Sequence, residues 1–240
     1  MWSICKKDIG QFFSNLTGYI AIILFLLING VVLFLLQDSS ILNNGYASLE
    51  AFFDLAPWVF LFLVPAISMR SFADEYKSGT FEILQTKPLS HWQIVWGKYC
   101  SVVLIVFLVL IPTLVYVYTI SALSATGTID TGGIIGSYIG LFLLGAVFSS
   151  ISIACSSFTN NAVVSFLLSG FVCLLLYIGC TSISKLTFFM GGADYFIEML
   201  GIDFHYKSVS RGVLDTRDLV YFLSIIWLAL SITAKNIQKR

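Results

Sequence analysis

The stretch "TGGIIGSYIGLFLLGAVFSSISIACSSFTNNAVVSFLLSGFVCLLLYIGCTSIS", Thr131 to Ser184, runs for 54 residues without one Asp, Glu, Lys or Arg. A helix rises about 1.5 Å per residue, so about 20 residues cross roughly 30 Å of hydrocarbon. The stretch is too long for one crossing and predicts two membrane-spanning helices. "SSFTNN", Ser156 to Asn161, is the turn between them, because Ser, Thr and Asn side chains bond the local backbone and end helices.

The remainder reads the same way. The 240 residues are 58% hydrophobic and 11% charged, with a mean hydropathy of +0.92, against roughly 25% charged in an ordinary soluble domain. Uninterrupted apolar runs predict one all-α integral membrane domain over residues 1–240, with six spans at about 18–37, 51–69, 99–120, 133–155, 162–183 and 219–234. Ahead of the first, residues 2–16 predict an amphipathic helix. Trp2, Cys5, Ile9, Phe12, Phe13 and Leu16 recur on one side, and Lys6, Lys7, Gln11, Ser14 and Asn15 on the other, which suits a helix lying in the membrane interface. It does not read as a secretory signal, because the apolar run that follows is about twice the usual core and no A-x-A site succeeds it.

An even number of spans puts both termini on one side. That side holds nine basic residues against four acidic, a balance of +5; the other holds four against nine, −5. The bias of Lys and Arg towards the cytoplasm predicts cytoplasmic termini. Four smaller readings complete the pass. Gly132, Gly133, Gly136 and Gly140 suit close helix packing, within the chain or between subunits. Pro57, Pro65 and Pro112 invite kinks. Asp54 reaches the interface, and the five cysteines read as small buried thiols with no metal-ligand spacing around His91 or His205.

The remaining polar stretch, "RSFADEYKSGTFEILQTKPLSHWQIVWGK" (Arg70 to Lys98), carries seven charged residues on the terminal side of the membrane. Phe72, Tyr76, Thr80 and Ile83 fall on one helical stripe. Gly79 interrupts it, Thr80 is placed to cap a short helix Phe81 to Gln85, and Pro88 stops that helix. Ser90 with Gln93 forms a capping-box pattern that starts the next helix. Phe81, Ile83 and Leu84 on a short cytosolic helix suit either a membrane-surface loop or a helix that fills a groove on a soluble partner.

This segment resembles the stretch between the second and third helices of type-2 ABC transporter permeases. Glu75, Gly79, Thr80, Glu82, Leu84, Pro88, Gly97 and Lys98 match that pattern. Within the family, the likeness is greatest to permease subunits of gliding-motility-associated ABC transporters. The resemblance implies a bacterial inner-membrane export permease that pairs with a second permease copy or a related permease subunit. It also implies a cytoplasmic coupling segment, 70–98, whose short helix docks on a separate cytosolic ATP-binding subunit. The docking residues it implies are Glu75, Gly79, Thr80, Phe81, Glu82, Ile83, Leu84 and Pro88. Between the last two spans Phe188, Phe189, Tyr195, Phe196 and Leu200 suggest short helices lying on or dipping into the outer leaflet, and the resemblance implies an outer segment, 184–218, of re-entrant or interfacial helices.

The residues are consistent with energy supplied from outside. The single Gly-Lys pair, "VWGKYC", has Trp92 where a P-loop needs its first Gly and Tyr99 where it needs Ser or Thr. ATP and Mg are thus expected on the partner, with no cofactor on this chain. Membrane lipids are expected neighbours, and nothing in the pattern points to nucleic acid. The alternative is an ion-coupled carrier working without an ATPase, but such carriers usually place carboxylates, Arg or His at mid-membrane depth, where these spans have none. A membrane enzyme fits less well, since neither GxSxG nor HExxH occurs.

Overall fold

The computed structural model describes residues 1–35, 49–123, 130–185, 193–212 and 215–239, without the side chains of Thr17, Ile83, Gln85, Ala193 and Asp194. The long uncharged stretch folds as the expected pair. Its first helix is α8 (Thr131–Phe158). The second runs from Ala162 to Ser184, with a π-helical turn at Leu175–Gly179. Asn161 caps the second helix, its Oδ1 accepting from the Val163 N–H at 3.0 Å.

In chain order the other elements are α1 (Trp2–Ser14), α2 (Leu16–Phe34), α3 (Glu50–Ser68), α4 (Arg70–Lys77), α5 (Thr80–Gln85), α6 (His91–Leu110) and α7 (Leu114–Leu123). The uncharged pair follows, its second helix divided into α9 (Ala162–Leu174) and α10 (Cys180–Ser184), and then α11 (Ala193–Met199), α12 (Ile202–Val209) and α13 (Thr216–Gln238). Among the described residues five helices are long and apolar enough to cross a membrane, and α1 with α2, bent by 72°, makes a sixth if counted as one span. Phe188 and Phe189 lie outside the described residues.

Helix α8 is the axis of the bundle and packs against α3, α6, α9 and α13. Its buried residues interleave Gly, Ser and Ala, which let neighbouring backbones approach, with larger side chains such as Leu141, Leu144 and Phe148. Several buried hydroxyls bond to the preceding turn. Ser149 donates to the Gly145 carbonyl at 2.6 Å, Ser150 to Val147 at 2.7 Å and Ser157 to Ala154 at 2.7 Å.

The two ends of α8 fix where the polar segments sit. At its N-terminal end, Ser137 Oγ donates to the Ser210 carbonyl at 2.6 Å, and a Cβ on Gly136 would lie 2.7 Å from Gly212 Cα. At its C-terminal end, Ser156 meets the start of α4. Nineteen residues separate Ser137 from Ser156, about 28 Å at 1.5 Å per residue, close to the hydrocarbon thickness. Residues 70–98 and the α11–α12 segment therefore occupy opposite ends of the bundle. The glycine stripe serves packing within the chain: Gly136 faces Gly212, and a Cβ on Gly140 would lie 2.6 Å from Val209 Cγ1.

Two expectations are adjusted. Pro57 and Pro65 lie within α3 without ending it, whereas Pro112 does separate α6 from α7. The N-terminal helix ends at Ser14 rather than at residue 16, and Leu16 starts α2; Ile4 and Cys5 are the buried residues of α1, while Trp2 and Leu16 are 72% and 74% exposed. The reason is Gly97 on α6. A Cβ there would come within 3.1 Å of both Ile4 Cβ and the Met1 carbonyl, so its absence gives α1 a seat on that side.

Candidate functional site

The segment from Arg70 to Lys98 is built from short-range signals first. Gly79 adopts φ +70°, a left-handed conformation that glycine takes without steric penalty, and this lets the chain reverse between α4 and α5. Helix α5 then occupies Thr80–Gln85, close to the range read from the sequence. The Ser90–Gln93 capping box is complete: Gln93 N–H donates to Ser90 Oγ at 3.3 Å and Ser90 N–H to Gln93 Oε1 at 3.2 Å.

Thr80 does not cap α5. It is the first residue of that helix, and its hydroxyl lies 2.8 Å from Ser78 Oγ and 3.5 Å from the Glu75 carbonyl, so it closes the end of α4 instead. A residue already turned into the helix points its hydroxyl backwards, away from the orphan N–H groups ahead of it.

Long-range contacts then clamp the segment to the spans. Ser156, from the far end of α8, accepts from the N–H groups of Phe72 at 3.1 Å and Ala73 at 3.3 Å and donates to the Met69 carbonyl at 3.2 Å. It supplies an N-terminal cap for α4 from another element, at the break where α3 ends. Asn236 of α13 in turn donates to the Ser157 carbonyl at 2.7 Å.

A charge cluster lies beside this joint. Lys98 is fully buried, with Nζ 2.9 Å from Glu75 Oε2 and 3.6 Å from Asp8 Oδ2. Its ammonium also donates to the Ser71 carbonyl at 2.5 Å and lies 4.8 Å from the centre of the Phe72 ring. Lys7 completes the set, 2.8 Å from Glu75 Oε1. A buried ammonium is tolerated only when carboxylates and carbonyls replace its water shell. Burial works against ionisation of Glu75, but attraction to Lys98 and Lys7 outweighs it and holds the carboxyl below its usual range. For Asp8 burial prevails over Lys98 and the carboxyl is raised. The cluster pins α1, α4 and α6 together, beside a cavity of about 340 Å³ whose floor is Ile67, Val102 and Ile105.

The residues implicated by the resemblance divide into two sets. Glu75 and Phe81 face inward. Phe81 is buried rather than displayed, edge-on to Tyr76 at 4.8 Å and to Phe72 at 6.2 Å between ring centres. Gly79, Thr80, Glu82 and Pro88 are exposed, and Leu84 is half-buried. The Ile83 side chain lies outside the described residues. Sequence reasoning missed Lys7, Asp8, Ser71 and Ser156; the one signal for them was Lys98 itself, a cation at the edge of an apolar span that demands partners. Among the described residues no group of three or more His, Cys, Asp or Glu side chains is placed to hold a metal ion. What the arrangement offers is mechanical: a short helix at one end of the bundle, packed on α4, which is itself tied to α6 through Glu75 and to α8 through Ser156.

A family model described as an ABC-2 family transporter protein matches residues 2–190. No curated protein matches the chain.

Proposed function

Because the chain belongs to the ABC-2 family of transporter proteins, a membrane permease component, we propose that it is the membrane subunit of an ATP-driven exporter. In this reading two permease subunits form the path, and a separate cytosolic ATP-binding subunit docks on α5. The supporting observation is the double character of residues 70–98. Thr80, Glu82 and Pro88 stay exposed, while Phe81 packs α5 on α4, Glu75 ties α4 to Lys98 of α6 and the Ser156 cap ties α4 to α8. Movement of α5 by a partner would be delivered to α3, α6 and α8, as coupling ATP hydrolysis to the spans requires. Contact with the partner falls to Gly79, Thr80, Glu82, Leu84 and Pro88, and Glu75 and Phe81 hold the docking helix in place.

The excess of basic residues on the terminal side supports cytoplasmic termini in a bacterial inner membrane. The link to gliding motility rests on resemblance; a strain lacking the chain should lose surface gliding, and unchanged gliding would remove that link.

The central test is affinity purification of the chain from its native membranes. An ABC ATP-binding subunit should copurify with the wild type and be reduced by Glu82→Lys and Leu84→Ala at equal membrane expression. Copurification undiminished in both variants would move docking elsewhere. Absence of any ATPase from the wild type would favour the ion-coupled carrier.

A further inference from the structure

At the end of the bundle opposite residues 70–98 two cavities lie side by side and share Met199, His205 and Arg217 as walls. One, of about 320 Å³, is polar and takes in Arg211, Asp215 and Asp218. The other, of about 630 Å³, is lined by Phe196, Leu200, Val220 and Tyr221. Phe196, Leu200 and Val220 are 70%, 67% and 66% exposed, so the apolar chamber opens outward beside the first turns of α13.

The polar chamber holds groups that the protein leaves unmatched. Asp218 is only 5% exposed and uses Oδ1 to hold His205 Nδ1 at 2.6 Å, but its Oδ2 is buried with no hydrogen-bond partner among the described residues. A buried carboxylate oxygen left unpaired carries a desolvation penalty that a donor would remove. Arg211 and Arg217 line the same chamber, and neither guanidinium makes an ion pair among the described residues. His205 fixes the wall between the chambers, with Nε2 2.8 Å from the Met199 carbonyl and its ring stacked on Tyr221 at 3.8 Å.

We infer that this pair of chambers binds a glycerophospholipid, its phosphate on Arg211 and Arg217, a headgroup N–H or O–H on Asp218 Oδ2, and an acyl chain along Phe196, Leu200 and Val220. Arginine is suited to phosphate because its planar donors match the oxygens. An apolar chamber joined to a polar one that holds two arginines beside Asp215 and Asp218 selects an amphiphile over a soluble anion. The unpaired acceptor selects a headgroup that carries a donor, such as phosphatidylethanolamine, over phosphatidylcholine, which has none.

The test is lipid retention by the full chain purified in detergent and offered phosphatidylethanolamine, phosphatidylcholine or diacylglycerol, read by mass spectrometry of the intact protein. Phosphatidylethanolamine should be retained best, phosphatidylcholine less and diacylglycerol least. Arg211→Gln with Arg217→Gln should lower phospholipid retention about tenfold or more, near the lower end of what one charge-assisted hydrogen bond contributes. Asp218→Asn keeps an oxygen for His205 but turns the second position into a donor, and should abolish the preference for phosphatidylethanolamine. Unfolding temperatures identify any variant that has simply lost its fold, and Arg217→Gln alone, on the exposed side of the wall, then carries the test. Equal retention of all three lipids, or wild-type retention by a folded arginine variant, would overturn the inference.

Discussion

Glu75 Oε2 and Lys98 Nζ lie 2.9 Å apart, joining α4 to α6 through a fully buried ammonium. Breaking such a pair from one side leaves a charge without its counter-ion, at about 3 kcal/mol or more, whereas replacing both partners is far milder. Glu75→Gln and Lys98→Met should each lower the unfolding temperature in detergent, and the double variant should regain most of the loss. A double variant no better than the sum of the two would show that the residues are not coupled.

Removing the hydroxyl of Ser156 should free the N–H groups of Phe72 and Ala73, which lie in α4's first turn and have no carbonyl within that helix to donate to. Ser156→Ala is expected to reduce local stability by about 1 kcal/mol. Hydrogen exchange should accelerate across Phe72 to Lys77 while the middle of α8 stays protected. Unchanged exchange would mean that water replaces the cap.

Phe81 and Glu82 are neighbours with opposite duties. Truncating a buried aromatic typically removes about 3 kcal/mol or more, so Phe81→Ala should lower the unfolding temperature and expose Lys77 and Lys87 to trypsin. Glu82→Lys, at an exposed position, should stay within about 0.5 kcal/mol of wild type. Comparable losses in both would contradict the inward placement of Phe81.

The packing of α12 on α8 depends on glycine at two facing positions. Gly136→Ala would drive a Cβ to 2.7 Å from Gly212 Cα; Gly212→Ala meets Gly133 Cα at 2.6 Å and also requires a residue with a side chain at φ +82°. Overpacking of this kind typically removes about 1–3 kcal/mol, and the strained position should suffer more. Thermal unfolding of the two variants should rank Gly212→Ala below Gly136→Ala, and both below wild type.

Sidedness is checked with single cysteines at Ser78 and Tyr195 in a background without the native five. An impermeant thiol reagent applied to intact cells should label the Tyr195 position and spare Ser78. The reverse pattern would invert the orientation, and with it the cytosolic location of α5.

Much of this molecule was legible from the chain alone because its signals are local. Hydropathy places the spans, since hydrocarbon excludes charge whatever the fold. Gly79 marks the reversal, and Ser90 with Gln93 marks a helix start, through bonds that close within three residues. Asp215 caps the last helix by a bond of the same local kind, accepting from the Arg217 N–H at 3.1 Å. Tertiary structure decided what faces what. Lys98 finds Asp8 and Glu75, Ser156 finds Phe72, and His205 finds Asp218, across gaps that no spacing rule spans. The rotation of a helix about its own axis was equally hidden. In a bilayer the lipid-facing and the packed sides are both apolar, so nothing in hydropathy announced that Ile4 and Cys5 would be the buried side of α1 while Trp2 and Leu16 stayed exposed, or that Phe81 would turn inward. Those choices rest on shape, on a missing Cβ at Gly97 and on the ring faces of Tyr76 and Phe72, which come together only once the helices have packed.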